Sequence, residues 1–134
     1  MPVAWIRQSP KPTSELICIV DNDEWVADSL KLLLETFGFD VRSYSSGSEF
    51  LADDRGRMAG CLVIDHHMPG MDGLDVVDHV QKGGIRVPTI LISGRLDVSA
   101  RVRALRLGVT RVVEKPFAAA SLVDLIRASL MERN

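Results

Sequence analysis

Residues 61–70 read CLVIDHHMPG: an apolar run leads into Asp65, and the turn residues Pro69 and Gly70 follow. A short apolar run bounded by turn residues is typical of a strand buried on both faces of a parallel sheet. Asp65 would then lie at the carboxyl end of that strand, where open parallel sheets bind their ligands. A buried carboxylate is costly without a metal, a partner or a reaction, so we expect the rest of the chain to supply one.

The composition indicates a single globular domain. The chain has 134 residues, of which 46% are hydrophobic and 25% charged, and its net charge is −2. This balance gives no indication of binding to nucleic acid or to an anionic membrane. No apolar run approaches the length of a membrane span. Cys18 and Cys61 lie inside apolar runs without metal-ligand spacing, which favours buried, reduced thiols in a cytoplasmic protein.

An alternation of strand and helix patterns defines the fold. Residues 1–15 contain Pro10 and Pro12 and are predicted to be a flexible arm, and residues 16–134 are predicted to form the domain. Five apolar strand candidates alternate with five helical patterns: 16–20, 39–42, 61–64, 87–92 and 112–113 are the strands. This pattern predicts a three-layer α/β fold, with a parallel sheet of order 2-1-3-4-5 between helices, as in flavodoxin-like proteins.

Apolar spacing also predicts which helix faces lie in the core. The first helix follows Asp23 as N-cap and ends at Gly38. Its predicted inner face consists of Val26, Leu30, Leu33, Leu34 and Phe37. The fourth helix is predicted to span Asp97 to Leu107, with Val98, Val102 and Leu105 facing inward.

Polar groups follow four of the predicted strands. In strand order, they are Asp21, Asn22 and Asp23, then Asp65, then Ser93, then Lys115. All of them are expected at one edge of a parallel sheet. Grouped carboxylates repel one another and attract a hard divalent cation, while a lysine and a hydroxyl can bind a transferred phosphoryl group. The set therefore suits phosphoryl transfer with Asp65 as the nucleophile.

These stretches resemble the receiver domain of two-component response regulators, which is CheY-like in fold, and are closest to its FixJ-like branch. The resemblance covers about residues 15–131. It rests on ICIVDNDEWVADSL (17–30), CLVIDHHMPGMDG (61–73), TILISG (89–94) and VVEKPF (112–117) in the family's order and spacing.

The resemblance implies specific roles at the sheet edge. Asp65 would accept a phosphoryl group from a histidine kinase or phosphotransfer protein, and Mg²⁺ would be required. Asp21 would belong to the acidic pocket, and the backbone carbonyl of His67 would bind the metal. Ser93 would be the switch hydroxyl, and Lys115 would pair with the phosphoryl group. The domain would be a switch that catalyses only its own phosphorylation and dephosphorylation, and not a metabolic enzyme.

Three positions depart from the family pattern. Asn22 stands where a second acidic metal ligand is usual, which predicts weaker Mg²⁺ binding, and Asp23 is expected to be occupied by helix capping. Val112 stands where the family commonly has a switch aromatic. His67 and Arg95 flank the phosphorylation site and are expected to affect hydrolysis of the acyl phosphate.

Other interpretations of the same residues were open. Asp65 or Asp21 could simply cap the following turn or helix. The triplet beginning at Asp65 also matches the DHH motif of metal-dependent phosphoesterases, but only His79 is left as a further histidine. Zinc binding by His66, His67 and His79 lacks suitable spacing, and a flavin site lacks a phosphate-binding loop.

The resemblance also predicts a surface through which the domain acts on a partner. By the resemblance, the fourth helix, fifth strand and fifth helix would carry the output, through a downstream protein or a homodimer. The arginines of these elements would be equally consistent with a charged surface that faces solvent and binds no partner. Without a recognisable DNA-binding motif, the chain would be a stand-alone receiver or lack an output domain, and would not bind nucleic acid itself. The alternative function is a pseudo-receiver, an interaction module that works without phosphorylation.

Overall fold

The structure is a computed structural model, which describes residues 15–109 and 111–132. The strands are β1 (Leu16–Val20), β2 (Asp40–Tyr44), β3 (Ala59–Asp65), β4 (Thr89–Ser93) and β5 (Arg111–Glu114). The α-helices are α1 (Glu24–Thr36), α2 (Gly47–Ala52), α3 (Gly73–Lys82), α4 (Val98–Arg106) and α5 (Ala119–Glu132). The predicted arm falls almost entirely outside the described residues.

The sheet has the predicted topology. Its strand order is β2-β1-β3-β4-β5, and every neighbouring pair is parallel. The prediction of an α/β fold with order 2-1-3-4-5 is therefore confirmed. The order of the strands along the chain reverses between β1 and β3, so the connections that leave these two parallel strands run to opposite sides, and such folds place their sites in the crevice between the two carboxyl ends.

Two apolar clusters cover the two faces of the sheet. Successive strand residues point to opposite faces, so Ile17 and Ile19 pack in one cluster while Cys18 and Val20 pack in the other. The first cluster includes residues of α1 and α5, and the second includes residues of α3 and α4. The central strands are buried throughout, which explains their nearly continuous apolar sequence.

Aspartates cap three of the α-helices in the described part of the chain, among them α4, whose N-cap is Asp97. Asp23 accepts hydrogen bonds from the backbone N–H groups of Trp25 and Val26. Asp72 forms a reciprocal capping box with Asp75 at the start of α3. Each cap satisfies N–H groups that have no partner within the helix. The predicted capping role of Asp23 is confirmed.

The predicted inner face of α4 is wrong. Val98, Val102 and Leu105 are 76%, 41% and 69% exposed. Instead, Ala104 is buried in the core, and Ala100 and Leu107 pack against it. Helix α4 carries two apolar stripes on opposite sides. The stripe that contains the two alanines faces the core.

Smaller differences concern the first helix and two segments between elements. Phe37 is exposed at the end of α1, and the guanidinium carbon of Arg127 lies 5.6 Å from its ring centroid. Residues 53–59, predicted to be a loop, contain a 3₁₀ helix at Asp54–Met58. Strand β4 begins at Thr89, although the carbonyl of Pro88 still accepts a hydrogen bond from Leu62.

None of the helices within residues 15–109 and 111–132 has the length and apolarity needed to cross a bilayer.

Candidate functional site at the carboxyl edge of the sheet

The carboxyl ends of the strands bring the predicted polar groups together. Asp21 follows β1, Asp65 ends β3, Ser93 ends β4, and Lys115 follows β5. Asp65, Asp21 and Ser93 are 5%, 2% and 0% exposed. Three polar side chains are thus buried at one edge of the sheet, as the sequence predicts, with Lys115 above them.

Asp65 is paired through both carboxylate oxygens. Its Oδ2 lies 3.6 Å from Lys115 Nζ, and its Oδ1 accepts a hydrogen bond from the backbone N–H of His67 at 3.2 Å. A buried carboxylate is tolerated when a positive charge and hydrogen bonds compensate its lost hydration. The ammonium group of Lys115, which was predicted to pair with a transferred phosphoryl group, thus lies next to the Asp65 carboxylate.

The backbone behind Asp65 is closely packed. The N–H of Gly73, the first residue of α3, donates to the carbonyl of His66 at 3.1 Å. A Cβ atom at Gly73 would lie 2.8 Å from the carbonyl oxygen of Asp65 and 2.9 Å from Cα of His66. Glycine is therefore needed here for the close approach of helix and strand, which fixes α3 directly against the end of β3.

Asp21 is the second buried carboxylate of the site. Its Oδ1 accepts a hydrogen bond from the N–H of Asp23 at 2.9 Å. Burial raises the pKa of the Asp21 carboxyl, and the negative charge of Asp65 raises it further, whereas the hydrogen bond from Asp23 lowers it. The mutual repulsion of two carboxylates is the condition that a bound cation would relieve.

The donor set fits a magnesium ion that is only partly held by side chains. Among residues 15–109 and 111–132, no group of three or more His, Cys, Asp or Glu side chains is arranged to hold a metal. A site here would need the carboxylates of Asp21 and Asp65 together with the amide of Asn22, the carbonyl of His67 and water. Magnesium commonly binds in this way, through one or two carboxylates and retained water molecules.

Asn22 and Asp23 are both exposed at the end of β1. Asp23 Oδ1 accepts hydrogen bonds from the N–H of Trp25 at 3.0 Å and from the N–H of Val26 at 3.3 Å, so this oxygen caps α1 as predicted.

Ser93 lies in a network that the sequence did not predict. Its Oγ is 2.8 Å from Nε2 of His67 and accepts a hydrogen bond from the N–H of Arg95 at 3.0 Å. The same Nε2 is 3.2 Å from the carbonyl oxygen of Arg95. His67 was predicted to bind the metal through its backbone carbonyl and, with Arg95, to affect hydrolysis of the acyl phosphate, but no contact of its side chain with Ser93 was predicted. Its side-chain contacts depend on the relative geometry of two loops, which no residue spacing encodes.

Lys115 is also held by its backbone. Its N–H donates to the carbonyl of Ser93 at 2.9 Å, and the Lys115–Pro116 peptide is cis. Val112, predicted at the position of the switch aromatic, is exposed on β5, and Val113 is the partly buried neighbour. The small side chain of Val112 therefore faces outward.

Among residues 15–109 and 111–132, the histidines belong to no group of three or more His, Cys, Asp or Glu side chains that is arranged to hold a metal. His66 and His67 have ring centroids 5.1 Å apart, with the rings inclined at 67°. His79 is exposed on α3.

Comparison with known proteins identifies the family. The sequence model of one protein family, described as the response regulator receiver domain, matches residues 17–127 of this chain. The chain belongs to the response regulator receiver domain family. This receiver domain is 38% identical over 117 residues to the response regulator protein TodT of Pseudomonas putida, covering 87% of this chain and 52% of TodT. It is 35% identical over 119 residues to the transcriptional regulatory protein FixJ of Azorhizobium caulinodans, covering 89% of this chain and 56% of FixJ.

Solved structures agree with this assignment and with the FixJ-like branch. A crystal structure of FixJ-N superposes with a TM-score of 0.79 at 32% identity, covering 87% of this chain and 94% of that one. A CheY-like receiver domain protein from Methanospirillum hungatei gives a TM-score of 0.81 at 26% identity, covering 89% of this chain and 95% of that one. The chain spans about half the length of the curated relatives it matches.

Proposed function

We propose that Asp65 accepts a phosphoryl group from a histidine kinase or phosphotransfer protein in the cytoplasm, and that phosphorylation changes the protein contacts of α4, β5 and α5. The observation that carries this proposal is the environment of Asp65. Its carboxylate is buried, yet one oxygen lies 3.6 Å from Lys115 Nζ. Ser93 is buried at the end of the neighbouring strand.

The reaction requires an oxygen nucleophile and compensation of negative charge. A carboxylate oxygen of Asp65 attacks phosphorus, so that an O–P bond forms while the P–N bond of the donor phosphohistidine breaks. The leaving imidazole keeps the electron pair of that bond and takes up a proton. Lys115 is positioned to pair with a phosphoryl oxygen, and the hydroxyl of Ser93 can donate a hydrogen bond to another. Such positioning and charge compensation provide most of the catalysis in phosphoryl transfer.

Magnesium would support this step. When bound, Mg²⁺ neutralises charge on the transferred phosphoryl group. Asp21, Asp65 and the carbonyl of His67 are the groups proposed to hold it, with Asn22 as a weaker, neutral ligand. The raised pKa of Asp21 beside Asp65 supports a site that a cation stabilises.

The proposed output surface combines α4 with the edge strand β5. Val98, Val102 and Leu105 expose an apolar stripe on α4, and Val112 is exposed on β5. An ion pair of 3.3 Å between Arg101 and Glu114 joins the two elements at their outer faces. Exposed apolar side chains grouped in this way favour a protein contact, including a homodimer. Phosphorylation would add about −1.5 to −2 charge at Asp65 and bias the equilibrium between two arrangements of this surface.

Mass spectrometry after incubation with acetyl phosphate and millimolar Mg²⁺ tests the proposal. We expect the wild-type protein to gain one phosphoryl group and Asp65→Asn to gain none. Sedimentation with and without beryllofluoride would detect phosphorylation-dependent association, which Leu105→Glu should weaken without preventing phosphorylation. A wild-type protein that gains no phosphoryl group and cannot be distinguished from Asp65→Asn would overturn the proposal.

A pseudo-receiver is the second candidate function. It is favoured by the neutral Asn22 at the proposed metal site and by the outward-facing Val112 in place of an aromatic. In that case α4 and β5 would bind a partner equally well with and without acetyl phosphate, and Asp65→Asn would leave this binding unchanged.

A further inference from the structure

The imidazole of His67 connects the two loops that carry the site. His67 lies in the loop after β3, and Arg95 lies in the loop after β4. Nε2 of His67 is 2.8 Å from Ser93 Oγ and 3.2 Å from the carbonyl oxygen of Arg95. The backbone N–H of the same histidine donates to Asp65 Oδ1 at 3.2 Å. One residue thus contacts both the proposed phosphoryl acceptor and the proposed switch hydroxyl.

The neighbours of Nε2 determine where its hydrogen lies. A carbonyl oxygen can only accept a hydrogen bond, so the contact of 3.2 Å with Arg95 is a hydrogen bond in the tautomer that carries a hydrogen on Nε2, and we infer that tautomer. This hydrogen is shared between the carbonyl of Arg95 and Oγ of Ser93. Ser93 Oγ therefore acts as an acceptor toward His67.

A second contact of Ser93 Oγ determines the role of the hydroxyl hydrogen of Ser93. Its Oγ also accepts from the N–H of Arg95 at 3.0 Å. A hydroxyl oxygen has two lone pairs and one hydrogen. With both lone pairs engaged by donors, the hydroxyl hydrogen of Ser93 is left to donate to a further acceptor. Ser93 is fully buried at the end of β4, next to the strand that ends in Asp65.

We propose that His67 is a positioning residue that holds the Ser93 hydroxyl as a hydrogen-bond donor for the phosphoryl group on Asp65. This inference rests on the proposed function, because the acceptor is the acyl phosphate. A donor oriented before the reaction needs no rotation when charge develops on the phosphoryl oxygens. His67 acts through Ser93 and does not itself contact the transferred group.

The rate of phosphorylation by acetyl phosphate in His67 variants tests the proposal. His67→Leu removes the donor, and we expect the maximal rate to fall roughly threefold to tenfold, the equivalent of one hydrogen bond, with half-saturation by acetyl phosphate unchanged. His67→Gln keeps an N–H donor and should restore most of the rate. Because His67 is exposed, both variants are expected to fold.

A double-mutant cycle with Ser93→Ala separates positioning from a general structural role. In the Ser93→Ala background, His67→Leu should cause no further loss of rate. An equal loss with and without Ser93, an unchanged rate in His67→Leu, or a rate for His67→Gln as low as that of His67→Leu would overturn the proposal.

Long-range ¹H–¹⁵N spectra of the unphosphorylated protein provide a test that does not depend on phosphorylation. We expect a hydrogen on Nε2 of His67, and a shift of this nitrogen in Ser93→Ala. A bare Nε2, or no response to Ser93→Ala, would contradict the inference. If wild-type protein accepts no phosphoryl group, the proposed function fails, while these spectra still decide whether His67 orients Ser93.

Discussion

Arg103 on α4 donates a hydrogen bond from Nη2 to Oδ1 of Asp75 on α3 at 2.7 Å. Its Nη1 also lies 3.5 Å from Oδ1 of Asp72, the N-cap of α3. The two aspartates exchange hydrogen bonds of 2.8 and 2.9 Å in the capping box. One guanidinium therefore joins α4 to the first turn of α3, the helix that follows the loop after β3.

Replacing Arg103 by methionine should lower the free energy of unfolding by about 0.5 to 1 kcal/mol, since the pair is partly exposed. The hydrogen bond from Arg103 is the largest cause of the lowered pKa of Asp75. The stabilisation is thus present above the ordinary carboxyl pKa and is lost as the pH falls through the lowered value. Denaturant unfolding at neutral and acidic pH would measure it.

Arg101→Met is the matched control, because the side chains of Arg101 and Glu114 are 57% and 58% exposed. We expect a smaller loss of stability in this variant. Equal losses in the two variants, or a loss for Arg103→Met that persists at acidic pH, would show that the contact with Asp75 is not the cause.

Gly73→Ala should destabilise the domain by about 1–3 kcal/mol, the usual cost of inserting an atom into a packed region. The added Cβ would meet backbone atoms of Asp65 and His66, which cannot rotate away. Gly94→Ala is the control, since a Cβ there has nothing within 4 Å. Urea unfolding of the two variants should differ clearly, and similar midpoints would show that α3 can move away from β3 at little cost.

Asn22→Asp should tighten Mg²⁺ binding at the proposed site. A further unit charge next to a cation near the protein surface contributes about 1–4 kcal/mol, which corresponds to at least about a fivefold change in affinity. Asp23→Asn is the control, because the Asp23 side chain is engaged by the N–H groups of α1. A Mg²⁺ titration midpoint that stays fixed in Asn22→Asp, or moves more in Asp23→Asn, would place the ligand elsewhere.

The buried thiol of Cys61 should make the domain sensitive to alkaline pH. Burial raises the pKa of Cys61 to about 12, and burial also raises that of Cys18 to about 11. Their raised pKa values give stability that is complete below the pKa of an unfolded thiol and is lost as the pH rises toward the folded value. Cys61→Ala should therefore show a pH dependence shallower by up to about 1.4 kcal/mol per pH unit above about pH 9.

Denaturant unfolding at several pH values between neutral and alkaline would measure this slope. Since all other titrating groups are shared by the two proteins, parallel curves for wild type and Cys61→Ala would rule out the thiol as the origin of the effect.

The strands and the site edge were predictable because they depend on local patterns. The apolar run before Asp65 specifies a buried strand, and a parallel sheet must bring Asp65, Ser93 and Lys115 to one edge whatever the details of the loops. The family of the chain was predictable for the same reason, since its motifs lie at these strand ends.

The orientation of α4 was not predictable from apolar spacing. Val98, Val102 and Leu105 form one regular stripe, and Ala100, Ala104 and Leu107 form another on the opposite side. Side-chain size favours the first stripe, whereas the second stripe, which contains the two alanines, is the one that packs in the core. The contact between His67 and Ser93 was unpredictable for a different reason, because it depends on how two loops lie relative to each other.

The hydrogen bond from the Lys115 N–H to the Ser93 carbonyl is the outermost link between β4 and β5. Strand β5 has a neighbour on one side only, whereas β3 is paired on both. A shift of β5 would therefore disturb only its ladder of hydrogen bonds with β4. A force on the Lys115 side chain and a force on Ser93 would both act on this backbone hydrogen bond. We therefore expect a displacement of Lys115 to be coupled to a displacement of Ser93.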